Sequence, residues 1–220
     1  MAEKSKTPVL LSYAFRPFFL AGALFSMFAV MVWVMVLHGA RVPQLTTWWH
    51  AHEMIVGFAM AAVTGFSLTA VAVWTGRPVV HGRPIALLLI AWLAGRLAMV
   101  FALSLPAEWV LIFDSLFPVL LVVLFGREVL GARNQRNYGL VVVLALMALV
   151  NINFHLSLIQ GSAFNQRFSI YFLIHSMLLL VTVVAGRITP AFTRNWMNQK
   201  GLKPLPRVRS LVEKATFALT

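Results

Sequence analysis

Six apolar runs, Phe18–Leu37, His52–Trp74, Pro84–Leu103, Trp109–Leu130, Tyr138–Ile159 and Phe168–Ile188, constrain this chain more than any other feature. Each holds roughly 20 residues, enough as a helix to cross a hydrocarbon layer of about 30 Å. None alternates apolar with polar positions, so barrel strands are excluded, and a helix is the remaining way to satisfy the backbone in lipid. The sequence therefore predicts an all-α, polytopic membrane bundle of six transmembrane helices. With 60% hydrophobic and 11% charged residues, the chain has too little polar surface to clothe a soluble core. The first run is long for a signal peptide and no small-residue cleavage site follows it at "LHGARVP", so it reads as a retained helix.

A formal charge of +12 raises the question of nucleic acid, but Lys and Arg fall at the ends of apolar runs, where they set topology. Lys4, Lys6 and Arg16 precede the first run. Arg77 and Arg83 follow the second, Arg127, Arg133 and Arg136 the fourth, and Arg194, Lys200, Lys203, Arg207 and Arg209 the sixth. The opposite loops carry only Arg41 and Arg167. Both termini are thus expected in the cytoplasm, with Trp48, Trp49 and Trp109 at the outer interface. Residues 1–17 form a short amino-terminal segment, 18–190 the six-helix domain, and 191–220 a basic tail. That tail turns apolar again at 215–219, as if a truncated seventh helix began there.

Without cysteine, disulfides, iron–sulfur clusters, thiolate haem ligation and Cys-based zinc sites are excluded, which leaves His, Met, carboxylate or backbone oxygen for any metal. Of six histidines, His81 alone falls on the cytoplasmic side. His38 ends the first run, His50 and His52 open the second, and His155 and His175 lie roughly 7–10 Å below the outer surface in the last two. Single interfacial histidines usually bond to carbonyls or water, but an unpaired imidazole in hydrocarbon is costly, and several helices bring theirs to one layer. A metal or haem site is expected, with His52 and His175 as first ligands and His50 and His155 as second choices. Residues two apart stand about 200° apart on a helix, so His50 and His52 cannot share one ion within a regular turn. If the helix starts near His52, His50 belongs to the approach loop.

Glu53 heads a stripe, Glu53, Gly57, Ala61, Gly65 and Thr69, at the spacing of a close-packing helix face, so its carboxylate is expected inside the bundle. There it could orient an imidazole, accept protons or pair with an arginine. Arg96 and Asp114 also lie inside apolar runs at compatible depths. They form either a buried ion pair or a clamp in which Arg96 binds a haem propionate or other anion. The ten methionines include Met54 and Met177 near these histidines, thioethers that suit copper but more often simply pack.

The stretches "YAFRPFFLAG", "WWHAHEMIVGFAMAAVTGFSLTAVAVWTGRP", "IAWLAGRLAM" and "GRITPAFTRNWMNQKG", in this order, closely resemble NnrS proteins. The resemblance implies a haem- and copper-containing protein of the bacterial inner (cytoplasmic) membrane, linked to nitric oxide, nitrosative stress and denitrification. Such proteins usually have about twelve helices, so this chain corresponds to the amino-terminal half, and a second half could supply the missing ones. The family motifs fall on His50, His52 and Glu53, and on Arg187, Pro190, Thr193 and Arg194. Arg187 and Arg194 could equally be topology anchors, and Pro190 is expected to end or kink the last helix. Val73 stands where many relatives carry a polar residue.

Three functions follow as expectations: a haem and copper protein that handles nitric oxide within the membrane lipid, a transporter with an ion path through Glu53, Arg96 and Asp114, and a non-catalytic assembly or sensory component. No nucleophile stands with a base and no phosphate-cradling glycine loop occurs, so the sequence names no reaction.

Overall fold

A computed structural model describes residues 8–203, which are helical throughout apart from turns and short loops, with no strand. Lys4, Lys6, Arg207, Arg209 and the expected start of a seventh helix lie outside the described residues. Six helices are long and apolar enough to cross a membrane: α1 (Phe15–Leu37), α2 (Thr47–Thr75), α3 (Arg83–Val100), α4 (Ala107–Gly131), α5 (Tyr138–Ile159) and α6 (Ala163–Gln199). The chain divides into two compact units, Met1–Leu173 and Ile174–Thr220, with the boundary inside α6.

Each helix end has a local cause. The Thr46 hydroxyl accepts from the Trp49 amide (3.2 Å) and starts α2 at Thr47, five residues ahead of the apolar run's first residue, His52. His50 is therefore inside the helix and not in an approach loop, because a polar cap and two tryptophans extend the helix beyond what hydropathy marks. Gly76, at φ 69°, closes α2 in the left-handed conformation. Gly82 at the same φ precedes α3, whose first turn holds Pro84. The third helix ends at Val100 rather than Leu103, giving way to a turn before Pro106. Proline 190 does not end α6: the helix runs on to Gln199 with Pro190 inside it.

In the first unit, α2 is the central helix. Over half of its most apolar window is buried (56%), whereas α1, at 17%, turns Leu24, Met27, Met31 and Met35 outward. The expected small-residue stripe is the seam between them. Ala61 lies under Gly22, Gly65 faces Phe15 and Phe19, and the Phe15 amide donates to Thr69 Oγ1 (3.2 Å).

The loops sort to two ends. Gln44, Ala102 and Gln166 meet at one, and at the other Asn134 donates to the Trp74 carbonyl (2.6 Å) while the Gly82 amide donates to the Leu11 carbonyl (2.8 Å).

Candidate metal centre in the first unit

Between Glu53 and Ala59 the second helix widens into a π-helical turn. A wider turn rotates less per residue, so the adjacent side chains of His52 and Glu53 both enter the interior, each with no exposed surface. The Trp92 indole donates to the Gly57 carbonyl inside this turn (2.8 Å). Two glycines let the charged partners approach. A Cβ on Gly57 would collide with the Phe25 ring and stand 2.9 Å from Arg96 Nη1. One on Gly95 would stand 3.0 Å from Asp114 Cα, so α3 touches α4 where Arg96 and Asp114 meet.

Arg96, 3% exposed, is the hub of the charges. Its Nη1 donates to Glu53 Oε1 at 2.6 Å and its Nη2 donates to Asp114 Oδ1. The other oxygen of Asp114 accepts from Asn151 Nδ2 and from His155 Nε2, both at 2.8 Å. His52 bridges the two carboxylates. Its Nδ1 is 2.9 Å from Glu53 Oε1, and its Nε2 is 2.8 Å from Asn151 Oδ1 and 3.3 Å from Asp114 Oδ2. Phe154 covers the flat face of His52, ring centres 4.6 Å apart, and meets His155 edge-on. Arg96 and Asp114 form a buried ion pair, with Glu53 as a third member.

Two carboxylates face Arg96 and His52, whose two ring nitrogens both stand against acceptor oxygens, so a protonated His52 balances the cluster and a metal ion would take the place of a proton on it. The donor atoms of His52, Asp114 and His155 lie within 4.8 Å of one another, the one group among the described residues with this property. Two imidazole nitrogens and a carboxylate oxygen suit a first-row transition metal. Glu53 on the far nitrogen of His52 is the outer carboxylate that fixes a ligating imidazole. The residues therefore fit a single metal ion. They do not offer His52 to a macrocycle, because Glu53 stands against its Nδ1 and the Asn151 and Asp114 side chains crowd its Nε2.

Of the other expected residues, His50 and His38 belong to the first unit but not to this group. His50, two residues from His52, points away as helix geometry requires and stacks on Trp33 (4.5 Å). His38 caps α1, its Nδ1 donating to the Val34 carbonyl (2.9 Å), the ordinary role of an interfacial histidine. His175, Arg187, Pro190, Thr193 and Arg194 belong to the second unit. There Thr193 donates to the Thr189 carbonyl (2.8 Å) and Arg194 to the Pro190 carbonyl (3.3 Å). Val73 is 85% exposed.

Two members of the centre were not expected. Asn151 lies one helical turn before His155, a spacing that puts both on one face, and an amide deep in an apolar run was the available signal. Phe154 carried none, being one apolar residue among many.

A multi-pass helical membrane protein with a buried carboxylate–arginine–histidine centre is the class that this fold and site define. The NnrS protein family matches residues 9–220, nearly the whole chain. The chain belongs to that family. No curated protein and no solved structure matches it.

Proposed function

We propose that the chain is a copper-binding membrane protein of the nitric oxide response, with His52, His155 and Asp114 as the ligands. NnrS membership suggests the nitric oxide response. The observation that carries the metal is the convergence of three buried donor atoms, two imidazole nitrogens and a carboxylate oxygen, within 4.8 Å of one another. When bound, copper supplies a coordination site for a small neutral diatomic, which partitions into lipid and needs no aqueous channel. The chain's own residues do the rest. Glu53 holds the His52 ring, Asn151 and Arg96 fix the two oxygens of Asp114, and Phe154 excludes water from the imidazole face.

Haem, the second expected group, is proposed for a histidine other than His52, with His175 the first choice. The transporter reading is less favoured, because Glu53, Arg96 and Asp114 are bonded in one cluster rather than strung along a path.

Membranes from cells supplied with copper test the reading. The purified protein is expected to carry one copper per chain and to change its copper spectrum on addition of nitric oxide. Both should be lost in His52→Ala and His155→Ala but kept in His50→Ala. Wild-type protein that folds, takes up no copper and ignores nitric oxide would remove the proposal.

A further inference from the structure

Glu53 and Gly57 stand four residues apart on the widened turn of α2, and Trp92 and Arg96 stand four apart on α3. The two pairs meet. Arg96 Nη1 donates to Glu53 Oε1 at 2.6 Å, and the Trp92 indole N–H donates to the Gly57 carbonyl at 2.8 Å. The third helix therefore holds the turn at two points about one helical turn apart, once through a side chain and once through the backbone itself. Both partners of the backbone bond are buried, Trp92 being 4% exposed.

The turn needs such a hold because its register is the less common one. The Met60 amide donates to the Ile55 carbonyl, five residues back, where an α-helix would use the carbonyl four back. Residues 54–59 are apolar and carry no side-chain hydrogen-bond donor, so a donor for the carbonyls of the turn has to come from another helix. The Trp92 indole is placed to be that donor. Phe25 packs edge-on against it, ring centres 5.6 Å apart, and the missing Cβ of Gly57 leaves room for the Phe25 ring.

Relaxation of the turn to the α register would rotate the residues ahead of Glu53 by on the order of 100° against those behind Ala59. His52 would turn with them, while Asp114 and His155 stay fixed on α4 and α5. The register of the turn thus decides whether three donor atoms converge or two.

We propose that Trp92 is a positioning residue of the centre: its indole N–H holds the π-helical turn, and through that turn it aims His52 at Asp114 and His155. Its bond is to the Gly57 backbone and not to a ligand side chain. The consequence for the metal rests on the copper reading above, but the hold on the turn does not.

The test uses the full chain in lipid nanodiscs and two substitutions that separate donor from bulk. Trp92→Phe keeps an aromatic ring and removes the donor. Trp92→His gives up more bulk but keeps one, because the five-membered rings superpose and Nε2–H falls where the indole N–H stood. In metal-free protein, amide hydrogen exchange across residues 53–60 should rise about tenfold in Trp92→Phe, stay nearer wild type in Trp92→His, and be unchanged in both around Arg77 and Glu128. In Cu(II)-loaded protein, the nitrogen hyperfine pattern should fall from two imidazoles to one in Trp92→Phe, with copper affinity lower by about 10–100-fold, while Trp92→His keeps both nitrogens. A residue that contributes bulk alone would give the opposite order, with Trp92→His the worse. That order, or exchange and spectrum unchanged in Trp92→Phe, would overturn the proposal. Wild-type protein without copper would end the metal reading and leave the exchange comparison as the test of Trp92.

Discussion

Arg96 and Arg77 each grip a carboxylate in the same bundle, Arg96 those of Glu53 and Asp114, Arg77 that of Glu128. In the Arg96 cluster the six bonded side chains, Arg96, His52, Glu53, Asp114, Asn151 and His155, come from four helices and each is at most 3% exposed. Around Glu128 the two arginines keep contact with the outside, the side chain of Arg77 being 39% exposed and that of Arg127 57%. Their bonds are no poorer: Arg77 Nε donates to Glu128 Oε2 at 2.7 Å, and Arg127 Nη2 to Glu128 Oε1 at 2.8 Å. What differs is the alternative open to each group when its partner is gone. At the bundle end Glu128, itself 4% exposed, keeps one arginine when the other is removed, and a freed arginine turns to water or a lipid headgroup. In the interior a freed carboxylate has nowhere to go, so the Arg96 cluster must be complete and the Glu128 cluster need not be.

That difference orders the expected effects. Arg96→Met should be the most damaging, costing about 3–5 kcal/mol because it strands Glu53 and Asp114. Unfolding in detergent measures it, and adding Glu53→Gln should recover part of the loss by removing one stranded charge. Next comes Gly95→Ala. Its new methyl would meet the Asp114 backbone at 3.0 Å, where no flexible side chain can yield, and should cost about 1–3 kcal/mol in the same assay. Glu53→Gln alone should leave a folded protein whose copper affinity is lower by about 10–100-fold, since it weakens the group that orients His52. Smallest of all, Arg77→Ala and Arg127→Ala should each change stability by about 1 kcal/mol or less. An Arg77→Ala effect as large as that of Arg96→Met would erase the contrast.

The spans were legible because hydropathy and length determine them. Helix ends were less so: the start of α2 depends on the Thr46 cap, and α6 passes through Pro190 because a proline removes one backbone donor without dictating a stop in a long apolar helix. In the site, Glu53, Arg96, Asp114, His52 and His155 were all visible, since ionisable groups in apolar runs draw attention by their cost. Their grouping was not. Depth pairs Asp114 with Arg96, but that it also joins His155 and Asn151 depends on how closely α4 and α5 approach, which no single-helix pattern records. The π-helical turn that brings His52 and Glu53 inward together left no mark in the hydropathy either.

X-ray absorption at the copper edge of the purified, copper-loaded protein tests the central claim most directly. A first shell of two imidazoles and one carboxylate oxygen is expected, reduced by one imidazole in His52→Ala and in His155→Ala. Sulfur in that shell, or a spectrum unchanged by both substitutions, would place copper elsewhere and contradict the account.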